Sequence, residues 1–386
     1  MSKTPVPVYG VALGGLIALA AAMGIGRFVY TPILPFMEEA LGLTKSEAGI
    51  IASVNFLGYL LGALAASASG FPGGWRLWFL GALAVSALST GAMGLTTSLD
   101  VFLGLRFVGG IASAFVLVFA STLVLDRLAA AGRLGLGSIH FAGVGVGIAV
   151  SAMLVSGLSS VGHDWQVLWL SGGALSLLAF VVVAVLVPGD REHAVPRTAS
   201  EGAPRDRRLV YLIIAYGLFG FGYVITATFI STMVRSGPDI QYLESVIWLV
   251  VGVAGIPSVV LWNWVGERWG IARSFAIACL VEAAGVAMSV LGTSAPVIVV
   301  SAILLGGTFI GIVAVGLVYA RRLTSGDAHR SLALMTAAFG LGQMIGPTFA
   351  GYAYGFGNSF LVPSLVATAA LVIAAGLVMV PARSPA

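Results

Sequence analysis

Apolar residues run along this chain in blocks of twenty or more, separated by short polar breaks, and a helix needs about 20 such residues to cross a bilayer's hydrocarbon core. Twelve blocks of that length can be read, at about 8–36, 46–70, 75–96, 100–125, 134–160, 165–187, 209–235, 242–266, 271–291, 296–320, 331–354 and 360–380. The first begins behind Lys3, as a secretory signal would. It continues past Ala20-Ala21-Ala22 to Leu34, too long for a cleaved leader, and is expected to stay as a membrane helix. The pattern predicts an all-α membrane protein of twelve transmembrane helices.

The polar breaks carry the orientation. With the N-terminus in the cytoplasm, the inside segments hold Lys3, Arg76, Arg127, Arg133 and Arg191, and every later extramembrane Arg but one; the outside loops hold only Lys45 and Arg235. Lys and Arg accumulate on the cytoplasmic side of a membrane protein, so both termini are expected inside, in a bacterial inner membrane. The longest polar stretch, 188–208, mixes charges of both signs with Pro and Gly and has no apolar face to bury. It is expected to be a cytoplasmic linker between an N-terminal six-helix bundle, 1–187, and a C-terminal one, 209–386, that ends in a short cytoplasmic tail.

Composition narrows the function. Hydrophobic residues make up 59% of the 386 residues and charged ones 9%, against roughly a quarter charged in a soluble domain, so membrane lipid is the expected surroundings. The formal charge of +4 follows from the loop asymmetry and does not call for a nucleic-acid partner. Cys279 is the single cysteine, and His140, His163, His193 and His329 have no metal-ligand spacing. There is no Walker-type phosphate loop. Neither an enzyme nor a metal or other cofactor is expected.

The halves repeat. Gly24-Ile25-Gly26-Arg27-Phe28-Val29-Tyr30 lies over Gly220-Phe221-Gly222-Tyr223-Val224-Ile225-Thr226 at an offset of 196. Glu47 and Gly58 lie over Glu244 and Gly255, Gly109-Gly110 over Gly306-Gly307, and Gly143 and Gly145 over Gly340 and Gly342, all at 197. Two parallel six-helix repeats place a substrate site between them near the midplane.

Over nearly its whole length the chain resembles the major facilitator superfamily. Gly266-Glu267-Arg268-Trp269-Gly270-Ile271-Ala272-Arg273 is similar to the superfamily's acidic-Arg-x-Gly-x-x-Arg turn, which implies a cytoplasmic latch through Glu267, Arg268 and Arg273. In the matching N-terminal turn Ala66 stands where the superfamily has an aspartate. Arg106-Phe107-Val108-Gly109-Gly110 is similar to its Arg-containing motif, and Gly342-Gln343-Met344-Ile345-Gly346-Pro347 to its glycine-proline hinge. Gly24 to Phe28 with Thr31 to Pro35, Asn55 to Leu60, and His140 to Gly145 resemble the YbfB/YjiJ branch. The resemblance implies two six-helix bundles that alternate access, a cavity lined by spans 1, 4, 7 and 10, and a monomer.

Among the charges, Arg27, Arg106 and Glu282 sit well inside spans, where a charge costs at least ~2.5–3.5 kcal/mol and needs a partner or water. Counting residues from the outer surface puts both arginines at one depth, in spans 1 and 4. A guanidinium pair in a low-dielectric cavity suits a carboxylate; the alternative is that they reach outward to Glu38, Glu39 or Asp100. Tyr30, Asn55 and Tyr59, with Tyr223 at the repeat position of Arg27, are candidate neutral contacts. Glu282 in span 9 and His140 at the start of span 5 are candidate proton carriers. Pro32 bends span 1, and Gly143, Gly145, Gly342, Gly346 and Pro347 let backbones pack closely and rock.

The expected function is secondary transport of a small organic solute, anionic by charge complementarity and driven either by protons or by the solute's own gradient. A second reading is efflux of hydrophobic compounds, for which Trp248, Trp262, Trp264, Phe219 and Phe221 supply aromatic surface. A third, of another class, is a non-transporting membrane sensor or scaffold.

Overall fold

The computed structural model describes residues 7–66, 74–188, 207–324 and 328–380, and these form helices and short connections without a strand. Eleven spans are α1 (Val8–Leu41), α2 (Lys45–Ala66), α3 (Trp75–Leu95), α4 (Leu99–Ala130), α5 (Gly137–Ser160), α6 (Trp165–Leu186), α7 (Arg207–Arg235), α9 (Ile271–Leu291), α10 (Ala295–Leu323), α11 (Ser331–Gly357) and α12 (Leu361–Val378). Between α7 and α9, Gln241–Gly255 and Ser258–Trp269 together form α8, bent by 42°. Most of the 188–208 linker lies outside the described residues, but Arg207 and Arg208, expected in it, already belong to α7.

Two breaks shape the interior. The chain is α-helical over Val8–Leu19, π-wound over Ala20–Ile25, turn-like at 26–29 and α-helical again from Tyr30. Gly26 and Phe28 donate five residues back, to the carbonyls of Ala21 (2.8 Å) and Met23 (3.2 Å), and Thr31 N–H bonds Phe28 at 3.2 Å. Arg27's carbonyl thereby loses its ordinary partner four residues on. π-turns of this kind open the ladder and expose backbone groups. The block at 242–266, expected as one span, is bent because Pro257 has no N–H to give the Val253 carbonyl.

The halves meet where α2 lies on α11, α5 on α8 and α1 on α7. These contacts are backbone against backbone. A Cβ on Gly49 would stand 2.3 Å from the Pro347 carbonyl oxygen, and one on Gly145 would stand 2.7 Å from the Ile256 nitrogen. Large side chains such as Leu77, Leu178, Val185 and Val260 are exposed around the rim. An apolar shell of this kind suits lipid and would be costly in water.

Candidate functional site

The break in α1 carries Arg27, which is buried between the halves. Its Nη2 donates to Gln343 Oε1 of α11 at 2.8 Å. The guanidinium carbon lies 4.4 Å from the Phe56 ring centroid, 4.2 Å from that of Tyr59 and 5.5 Å from that of Phe28. Aromatic faces attract a cation, most strongly where water is excluded. Among the described residues no carboxylate pairs with Arg27; Glu38 is taken by Lys45 (2.7 Å) and Glu39 by Arg235 (2.6 Å), while Asp100 is exposed. The outward-reaching arrangement is therefore not what forms.

Arg106 meets Arg27 but faces elsewhere. Its Nη1 donates to the Gly26 carbonyl at 3.1 Å and its Nη2 to the Arg27 carbonyl at 3.0 Å. The fork thus satisfies acceptors that the α1 break orphans, which is why a planar two-pronged donor suits this position. Asn55 Nδ2 donates to the Arg106 carbonyl at 2.8 Å, and Tyr30 donates to the Ala48 carbonyl at 2.9 Å. Of the expected neutral contacts, Asn55 and Tyr30 thus tie helices together, while Tyr59 and Tyr223 face the Arg27 cluster.

Tyr223 stands in a stack. Its ring lies 5.6 Å from Phe309 at 9° and 6.0 Å from Phe339 at 4°, and its hydroxyl accepts a short hydrogen bond from Gln343 Nε2. Arg27, Gln343 and Tyr223 therefore form one chain from α1 through α11 to α7. Gln343 was quoted above only as part of the glycine-proline hinge. The signal that could have found it is its place four residues before Pro347, as an amide inside an apolar block. Gly342 seats it, since a Cβ there would lie 2.1 Å from the Gly217 carbonyl oxygen of α7.

Glu282 is fully buried in α9, and neither carboxyl oxygen has a hydrogen-bond partner among the described residues. His140 is buried and shares a hydrogen bond with Ser121 Oγ at 3.1 Å, packed over Gly15 of α1. Gly143 packs on the Leu16 carbonyl of α1, and Gly346 on Val224 and Phe221 of α7. Pro32 and Pro35 sit just past the α1 break. Glu267, Arg268 and Arg273 are exposed around Gly270, whose φ of 92° makes the turn. Arg268 stacks on Trp264 at 4.7 Å, and the turn forms no ion pair among the described residues. No three His, Cys, Asp or Glu among the described residues come together as a metal site.

The family described as "Uncharacterised MFS-type transporter YbfB" matches residues 19–379. The chain is 24% identical to "Uncharacterized MFS-type transporter YceJ" of Bacillus subtilis over 65% of its own length and 66% of that protein's. It is 25% identical to the 4-hydroxybenzoate transporter PcaK of Pseudomonas aeruginosa (49% of this chain, 40% of that one) and 28% identical to the niacin transporter NiaP of Acinetobacter baylyi (42% and 35%). The chain thus spans less than two thirds of the length of each of these relatives. The crystal structure of the nucleoside transporter NupG superposes with a TM-score of 0.71 at 16% identity, covering 96% of this chain and 98% of that one, which establishes the fold. With its apolar spans and a family match from 19 to 379, the chain is a multi-pass membrane protein that belongs to the YbfB-type family of major facilitator superfamily transporters.

Proposed function

We propose that this carrier moves a small organic anion by alternating access, with Arg27 as the anchor for its carboxylate. One observation carries the reading: a buried guanidinium stands between the halves and is met, among the described residues, by neutral groups, the Gln343 amide and the Tyr59 side chain, and by aromatic faces, with no carboxylate. A carboxylate would form a charge-assisted, two-pronged bond there, stronger than the one it displaces. The rings of Phe28, Tyr59, Tyr223, Phe309 and Phe339 around it favour a planar, aromatic acid. Two relatives bear the names of transporters of such acids, 4-hydroxybenzoate and niacin. Arg106 shapes the site by holding the α1 break, and Asn55 and Tyr30 support it.

Loop charges orient the carrier with both termini in the cytoplasm of a bacterial inner membrane. The end where Glu38, Glu39, Lys45 and Arg235 meet then faces outward. Transport is coupled to protons, with Glu282 as the first candidate carrier and His140 the second. The protein works as a monomer of two bundles, 1–187 and 209–386. Gly143, Gly145, Gly342, Gly346, Pro32 and Pro347 give the rocking seams, and Glu267, Arg268 and Arg273 a latch formed in the opposite-facing state.

Uptake of radiolabelled 4-hydroxybenzoate and nicotinate into proteoliposomes, compared with Arg27→Gln, tests this. Saturable uptake lost in the variant supports it; uptake equal in both defeats it. A second reading, export of hydrophobic compounds, has one observation of its own. An apolar cavity of about 410 Å³ lies along the α2–α11 seam, lined by Ile50, Val54, Leu57, Met344, Ile345 and Phe349 among others. Transport of lipophilic dyes indifferent to Arg27 would favour that reading.

A further inference from the structure

We infer that Gln343 is a specificity residue that stands in for the substrate's carboxylate, holding Arg27 in the empty carrier and yielding it when the anion binds. This rests on the reading of Arg27 as the anion anchor.

Three observations converge on this amide. First, its Oε1 occupies the acceptor position of Arg27 Nη2 at 2.8 Å, with Arg27 and Gln343 both buried. A neutral carbonyl is the weaker partner for a guanidinium, and charge-assisted bonds to a carboxylate are roughly twice as strong. The occupant is therefore one that an arriving anion can replace. Second, the amide is aimed. Its Nε2 is held by the Tyr223 hydroxyl, and Tyr223 is fixed by stacking on Phe219, Phe309 and Phe339. A glutamine free to rotate would leave Arg27 unmet for much of the time; this one is not free.

Third, the bond joins the weak points of two helices. Arg27 lies in the opened turn of α1. Gln343 lies four residues before Pro347, whose missing N–H deprives the Gln343 carbonyl of its helical partner, and proline at this spacing bends a helix. Gln343 and Arg27 thus clasp the halves at the places where each helix bends most easily. Other hydrogen bonds between the halves cluster toward the end bearing Lys45: Thr31 to the Ala227 carbonyl (2.7 Å), Thr232 to Glu38 (3.1 Å), Arg235 to Glu39 (2.6 Å) and Thr348 to Ser53 (2.8 Å). Substrate exchange at Arg27 removes the clasp on the far side of that cluster. A ligand shifts an equilibrium only through its differential affinity for the two states, and exchange at Gln343 supplies that difference.

The recognition rule follows from the chemistry. A ligand must beat an amide carbonyl for the guanidinium, so carboxylates are taken and the corresponding carboxamides, which only match Gln343, are refused.

The test uses the full-length chain in detergent, with Gln343→Leu, Gln343→Glu and Arg27→Gln. Hydrogen–deuterium exchange reads the clasp without ligand, and titration with 4-hydroxybenzoate, nicotinate and their amides reads the competition. Gln343→Leu should quicken exchange around 26–31 and 340–347 and tighten binding of the acids by about tenfold, the competitor being gone. Gln343→Glu should slow exchange there and weaken acid binding at least about tenfold. Equal exchange in all three Gln343 forms would overturn the inference, as would weaker acid binding in Gln343→Leu, which would make Gln343 a direct contact. Wild-type affinity for the amides equal to that for the acids would overturn it too. If Gln343 variants bind as wild type while Arg27→Gln does not, the stand-in fails and the anion reading survives. If Arg27→Gln binds as wild type, the anion reading itself has failed.

Discussion

Arg106 Nη2 donates to the carbonyl oxygen of Arg27 at 3.0 Å, so the second buried arginine grips the backbone of the first and leaves its guanidinium to others. Arg106→Leu should therefore strip two charge-assisted bonds and leave the Gly26 and Arg27 carbonyls unmet, costing about 3 kcal/mol of stability. Thermal unfolding in detergent checks this. A melting temperature equal to the wild type would mean that the α1 break holds without the fork.

Arg106→Lys is the finer probe. A lysine keeps the charge but not the rigid two-pronged geometry, so substrate KM should rise several-fold while expression and folding persist. Unchanged KM would show that one donor at either carbonyl is enough.

Gly49→Ala should stop transport. Its new Cβ would lie 2.3 Å from the Pro347 carbonyl oxygen, so α2 and α11 would no longer close at that end. Gly81→Ala in α3 has nothing within 4 Å of the added carbon and serves as the matched control. Accessibility of a cysteine placed at Ser53 reads the difference; equal labelling in both variants would show that the seam can absorb a methyl group.

Glu282→Gln replaces a carboxyl whose oxygens find no hydrogen-bond partner among the described residues with a neutral amide of the same shape. Stability should be little changed. Exchange of substrate across the membrane should persist, while accumulation driven by a pH gradient is lost. Undiminished accumulation would return Glu282 to a structural role.

The spans themselves were legible because each must carry some twenty apolar residues, a signal that no tertiary contact can erase. Boundaries were less so: α4 runs on to Ala130 and α1 to Leu41, because polar residues continue a helix once it leaves the hydrocarbon. The bend in α8 was missed since Pro257 is hidden in an apolar block. Arg27 and Arg106 were found as the costly charges at one depth. What Arg106 grips was beyond reach, because its acceptors exist only where α1 unwinds. Gln343 escaped because an uncharged amide carries little cost in a sequence count, although its partner is the charge that was noticed.

Arg27 has a further consequence through its lack of a carboxylate partner among the described residues. A bound monoanion cancels its charge, so the loaded site, with Glu282 protonated, crosses the membrane's electric field neutral. On the empty return a Glu282 that has released its proton balances Arg27, whereas Glu282→Gln leaves that return positive. Each elementary charge feels about 2.3 kcal/mol per 100 mV, so net uptake should become voltage-dependent in Glu282→Gln and stay voltage-independent in the wild type. One-for-one exchange, which skips that return, should be indifferent to voltage in both.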